Sequence, residues 1–173
     1  MTEKKQAILK TALSLFAQKG YDSTSTAKVA QEAGVSEGLI FKHFGNKEGL
    51  LEAVLKESAT AAETMLSAVI MAPSPQEKIM RMLELPFKIS TSQYEMWRLT
   101  YALKWQRDSY DNAFQDSIKV VLQDAFNKLG YFNPKAEAEL LFMITDGAAT
   151  SLLLHNPDNP AALLLALKNK YPF

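Results

Sequence analysis

Cysteine is absent from all 173 residues. That excludes a disulfide framework and a cysteine-ligated zinc site. Histidine is nearly as scarce. The two present, His43 and His155, lie far apart, and no HExxH, GxSxG or glycine-rich phosphate loop accompanies them. The expectation is a protein with no catalytic residues, no metal site and no cofactor: not an enzyme. Long apolar runs are also missing. The best candidate, Leu140 to Leu154, is interrupted by Thr145 and Asp146 and falls short of the roughly 20 residues a membrane helix needs. The opening MTEKKQ lacks the apolar core of a signal peptide. A soluble cytoplasmic protein with no membrane partner is the expectation. No alternating strand pattern, repeat or low-complexity tract occurs. Net charge is missing too, with 19 basic against 19 acidic side chains, which by itself argues against a nucleic-acid partner. The charge is uneven, however. Residues 1–56 hold eight lysines and six acids, a net of +2, and the remainder carries −2.

What is present is apolar residue at helical spacing. Hydrophobic residues make up 47% of the chain, enough for a substantial core. Ile8, Ala12, Leu15 and Phe16 form one stripe ending at Gly20. The polar run Asp22 to Thr26 offers N-cap candidates for a short helix marked by Val29, Ala30 and Ala33. Gly34 closes that helix. Ser36 can cap the next, whose inward residues are Ile40 and Phe44. Asn46 can cap a longer helix running towards Met71. Ser74-Pro75-Gln76-Glu77 reads as a capping box with proline at N1, and Pro86 should kink the helix it starts. Further helices are expected at about 92–107, 111–128, 134–155 and 160–170. The fold class is therefore all-α, with about nine helices.

The stretch AGVSEGLIFKHF, residues 33–44, carries the chemistry. Ala30 and Ala33 let two helices approach closely, Gly34 supplies a positive φ, Val35 fills the corner, and Ile40 and Phe44 anchor the third helix. Its other face presents Glu37, Gly38, Lys42 and His43. This is helix-turn-helix geometry, in which the second helix of the pair enters the major groove and its donors meet phosphates or base edges. A plain helical hairpin inside a helical protein has the same spacing, and the two readings stand side by side.

Residues 8–55, ILKTALSLFAQKGYDSTSTAKVAQEAGVSEGLIFKHFGNKEGLLEAV, resemble the N-terminal domain of TetR-family transcriptional regulators across four helices at fixed spacing. The resemblance implies a three-helix DNA-binding domain over residues 1–56, joined by a long helix to a helical effector-binding and dimerisation domain over 57–173. It implies that Thr26 and Ser36 donate to phosphates, that Lys28 is a backbone contact, and that Gly38 permits close approach to DNA. It further implies that Lys42 reaches bases or backbone, and that His43 and Lys47 bind phosphates. Phe41 departs from the family's usual tyrosine and loses a phenolic donor, leaving a packing aromatic or a DNA contact. Leu39 either touches a thymine methyl or packs. Glu37 repels phosphates unless it accepts from cytosine or favours its own helix N-terminus.

In the C-terminal part, Trp97, Tyr101 and Trp105 share one helical face, with Met82 and Phe87 nearby in sequence. Together with Met143 they are candidates for a pocket that takes a small apolar or aromatic effector, or they are simply core. Arg98 and Arg107 read as solvated. Small residues at Gly147, Ala148 and Ser151, with Leu163 and Leu167 of the last helix, are candidates for a homodimer interface, or for packing within one chain. The expected function is a sequence-specific DNA-binding regulator, a ligand-responsive repressor that binds a pseudo-palindromic operator as a homodimer. The competing expectation is a helical protein–protein interaction module that has lost DNA binding.

Overall fold

A computed structural model describes residues 2–104 and 113–173. Trp105, Arg107 and the start of the helix expected at residue 111 lie outside the described residues. Nine α-helices and no strands occur among those described: α1 Glu3–Lys19, α2 Thr26–Ala33, α3 Glu37–Phe44, α4 Lys47–Ile70, α5 Pro75–Glu84, α6 Tyr94–Lys104, α7 Ala113–Lys128, α8 Pro134–His155 and α9 Pro160–Lys168. No described helix is long and apolar enough to cross a membrane.

Two compact units divide the chain. The first comprises residues 1–61 and 91–108. Its core takes Ile8, Ala12, Leu15 and Phe16 from α1, Val29 and Ala30 from α2, Ile40 from α3, Leu50, Leu51 and Val54 from α4, and Leu99 and Leu103 from α6. The stripe expected on α1 is thus the buried one. Helix α6 belongs here because Leu99 and Leu103 supply apolar surface to α1, and because Glu95 accepts from the Ser14 hydroxyl (2.9 Å) and the Gln18 amide (2.6 Å). A boundary near residue 56 would fall inside the continuous helix α4, and the segment 91–108 would lie on its far side.

Local chemistry sets the helix ends. Ser25, Ser74, Asn133 and Asn159 each accept a backbone N–H at their helix N-termini. Asn46 Oδ1 does the same for α4, accepting from Gly49 N at 2.8 Å. Gly34 is left-handed (φ 67°), and the Val35 N–H returns to the Ala30 carbonyl at 3.0 Å. This is the six-to-one bond that closes a helix tightly. Ser36 occupies the N-cap of α3 but makes no side-chain cap bond. Glu77 pairs with Arg81 one turn on, at 2.9 Å, so only the serine half of the expected capping box forms. Pro86 ends α5 instead of kinking it, and Leu85–Lys88 tighten into a 3₁₀ turn.

The second unit, residues 62–90 and 109–173, has its own core of Val69, Ile79, Met82, Leu83, Ile118, Leu122, Ala125, Phe126, Ala138, Leu141 and Tyr171. There α7 packs on α5 and α8, and α5 on α9. Glu84 joins α5 to α9 through Lys168 and also pairs with Lys88 at 2.6 Å. These two ammonium groups hold the Glu84 carboxyl below the ordinary glutamate range.

Candidate nucleic-acid interface

Helix α3 is eight residues long, too short to be stable by itself. Its orientation therefore comes from packing. Ile40 is fully buried, and Phe44 packs against the same core. Gly38 and Lys42, four residues apart, lie on the opposite face and are exposed. His43 is also exposed, its ring edge-on to Phe44 with centroids 6.0 Å apart. Leu39 is half-buried and packs against the core. It also lines an open cleft with His43 and Thr2, Glu3 and Lys4 at the start of α1. Phe41 is 45% exposed, so its ring is not a core aromatic.

Other candidates are already engaged within the unit. Lys28 pairs with Glu32 at 3.2 Å. Lys47 places its ammonium 4.2 Å from the centre of the Tyr21 ring and donates to the Asp22 carbonyl at 3.3 Å. The ring and the carbonyl hold this charge near the start of α4 at modest cost, since a cation over an aromatic face is attracted to it. Tyr21 in turn donates to Glu48 at 2.8 Å. Thr26 donates its hydroxyl proton to Glu37 Oε1 at 2.7 Å. Ser36 lies exposed with its hydroxyl uncommitted to the cap.

The α3–α4 junction holds residues that pattern reading passed over. Gly45 has φ 78° and ψ −53°, and Asn46 N donates to the Phe44 carbonyl at 2.9 Å. This is a γ-turn, a strained one. It brings the Phe44 carbonyl against Gly49, where a Cβ would collide with that oxygen and lie 3.2 Å from its carbon. The sequence signal was a glycine in the first turn of a helix, where alanine is the better helix former. Thr24 was also missed. It is 2% exposed and donates to the Gly20 carbonyl at 2.9 Å, fixing the turn after α1.

The helix pair α2–α3 thus has a left-handed glycine turn, a buried anchor and an exposed basic face, and comparison with known proteins gives it a family. The family model described as bacterial regulatory proteins, tetR family, matches residues 8–54. Residues 8–54 are thus a tetR-family DNA-binding domain. The HTH-type transcriptional regulator YuxN of Bacillus subtilis is 49% identical over 55 residues, 32% of this chain and 19% of YuxN. The chain therefore spans about a fifth of the length of that curated relative. A TetR-like transcriptional regulator from Rhodococcus sp. RHA1 superposes with a TM-score of 0.79 at 19% identity, over 96% of this chain and 94% of that one. AibR, whose structure holds isovaleryl coenzyme A and operator DNA, gives 0.64 at 20% identity over 87% and 96%. These superpositions extend the tetR-family fold across both units.

The candidate effector residues fall in different units. Trp97 and Tyr101 lie on α6 in the first unit, both half-buried, with ring centroids 6.4 Å apart. The buried Trp97 Nε1 has no acceptor among the described residues. Met82, 4% exposed, is core of the second unit, and Phe87 is half-buried on the 3₁₀ turn after α5. Met143 is 68% exposed. It shares a surface stripe of α8 with Leu140, Gly147 and Leu154, at i, i+3, i+7 and i+14, and so does not line a pocket within its unit. Of the dimer candidates, Gly147 and Leu163 are exposed, and a Cβ on Gly147 would meet nothing within 4 Å. Ala148 and Ser151 are half-buried, and Leu167 packs against the core of its own unit.

Proposed function

We propose that this chain is a ligand-responsive transcriptional repressor that acts in the cytoplasm and binds a pseudo-palindromic operator as a homodimer. The observation that carries the reading is the presentation of α3. A fully buried Ile40 fixes the helix, while Gly38, Lys42 and His43 face solvent on a domain of the tetR family. A helix held this way enters the major groove, with Lys42 and His43 on phosphates or base edges and Gly38 allowing close approach. Ser36 and Lys47 supply further phosphate contacts at the starts of α3 and α4, and Lys28 reaches the backbone once released from Glu32.

The dimer reading rests on the α8 stripe Leu140, Met143, Gly147 and Leu154, continued by Leu163 and Leu165 on α9. All but Gly147 are large apolar residues at least 47% exposed, and glycine in the middle of the stripe permits close helix approach. A homodimer carries two copies of α3, one for each half of a pseudo-palindromic operator. The effector reading rests on the aromatic pair Trp97 and Tyr101 and on the buried indole N–H, which offers a donor inside an apolar setting. The AibR structure holds isovaleryl coenzyme A together with operator DNA; the apolar or aromatic character of the effector is assigned here from the Trp97 and Tyr101 rings alone. Such a ligand releases DNA only by binding the non-operator spacing more tightly than the operator-bound one.

The test is fluorescence anisotropy with the DNA upstream of the gene, titrated with salt. Lys47→Ala should weaken binding with little sequence dependence and flatten the logarithmic salt slope by about one unit per protomer. An unchanged slope removes Lys47 from the phosphate contacts.

A further inference from the structure

Glu37 is an acid at the start of a helix meant to approach a polyanion. The structure does not turn it away. Thr26, the first residue of α2, donates to Oε1 at 2.7 Å, and both side chains are half-buried. Among the described residues Oε2 has no hydrogen bond or ion pair. Among the described residues no lysine pairs with the carboxylate: Lys28 pairs with Glu32, and Lys47 sits on Tyr21. The result is one clamped oxygen and one bare oxygen at the N-terminus of α3, where helices of this geometry meet base edges.

An ionised carboxylate only accepts hydrogen bonds. In the major groove, guanine and thymine present acceptor oxygens or nitrogens to it and repel it. The adenine amino group lies between two acceptors, its own N7 and the O4 of the paired thymine, whereas the cytosine amino group has an acceptor on one side only, the O6 of the paired guanine. A single bare oxygen matches the single N4 amino donor of cytosine. We propose that Glu37, held in place by Thr26, selects a cytosine at the base step beneath the N-terminus of α3, with Thr26 acting as a positioning residue and not as a phosphate donor. The proposal rests on the DNA-binding reading above and adds one operator position to it.

The experiment is selection of randomised duplexes by the full chain, followed by binding measurements on single-base variants of the selected site. Three proteins are compared: wild type, Glu37→Gln and Thr26→Val, each first shown to melt cooperatively. Wild type should disfavour replacement of one cytosine in each half-site by a factor on the order of ten. Glu37→Gln keeps an acceptor for Thr26 and turns an amide N–H₂ outward, so the same position should switch to guanine or thymine. Thr26→Val should narrow the cytosine preference while leaving affinity for sites already mismatched there unchanged. A base preference identical in wild type and Glu37→Gln overturns the proposal, as does a Thr26→Val protein that loses affinity equally for every site. If wild type enriches no sequence and shows no salt-dependent binding, the DNA-binding reading fails first, and the two failures are distinguishable.

Discussion

Replacing Gly49 with alanine sets two physical effects against each other, and the structure decides the sign. Helix propensity alone favours the change: glycine to alanine inside a helix stabilises by up to about 1 kcal/mol. At Gly49 the added methyl meets a backbone carbonyl, that of Phe44, and no flexible side chain is there to yield. The carbonyl is held by the Asn46 N–H at 2.9 Å across the Gly45 turn. Relief requires opening that turn and drawing Gly49 N away from its 2.8 Å cap on Asn46. Backbone displacement of this kind costs about 1–3 kcal/mol, and weakening the cap adds about 0.5–1 kcal/mol. The net is destabilisation of about 0.5–3 kcal/mol, or a fall in Tm of roughly 1–12 °C for a chain of this size.

Thermal melts followed by circular dichroism, with wild type and variant side by side, measure the effect. Because the displaced turn carries the end of α3, operator affinity should fall as well at a temperature where both proteins are folded. A variant that melts higher than wild type and binds DNA normally would refute the reasoning. It would show that the junction relaxes freely and that helix propensity governs the site.

Other perturbations test other parts of the account. Phe41→Tyr restores a phenolic donor on a ring that is 45% exposed, and a hydrogen bond to a phosphate should tighten operator binding by about ten-fold; unchanged binding would place the ring away from DNA. Met143→Asp puts a charge in the middle of the exposed α8 stripe and should convert dimer to monomer in analytical ultracentrifugation; a wild-type protein that is monomeric at micromolar concentration would sink the dimer reading. The lowered pKa of Glu84, caused by hydrogen bonds from Lys168 and then Lys88, means that the folded state binds its proton less readily than the unfolded chain. Its stabilisation is complete above the ordinary value of 4.5 and is lost as pH falls through the lowered value. Glu84→Gln should therefore reduce stability at pH 7 and flatten the acid limb of a urea-denaturation series, and an unaltered acid limb would count against the pairing.

Much of the fold was readable because its signals are local. The i, i+4, i+7, i+8 stripe of α1 became core without change, and α8 starts and stops at Pro134 and His155, where punctuation residues stand in the sequence. Gly34 adopts the positive φ that its place in AGVS requires. The departures come from contacts distant in sequence. Nothing local says that α6 should supply Leu99 and Leu103 to the unit containing α1, or that Glu95 should reach Ser14 across 81 positions. The α8 stripe has a helical period, but period cannot tell a buried face from one left for a partner, so Met143 read as a pocket residue. On α3, the exposure of Gly38, Lys42 and His43 was legible from helix geometry. The exposure of Phe41, the Thr26–Glu37 bond and the tight approach at Gly49 were not, because each depends on how two helices meet.

The central claim is sequence-specific recognition of duplex DNA by α3, and a single salt-titrated comparison tests it most directly. Anisotropy is recorded for the full chain on its upstream DNA and on a scrambled duplex of equal length, from low to physiological salt. The account predicts linear log–log salt dependence on both duplexes from the phosphate contacts, with the upstream sequence bound at least about 10³-fold more tightly throughout, and loss of that preference in a protein carrying Lys42→Ala and Glu37→Gln. Equal affinity for both duplexes, or binding that ignores salt, would contradict it.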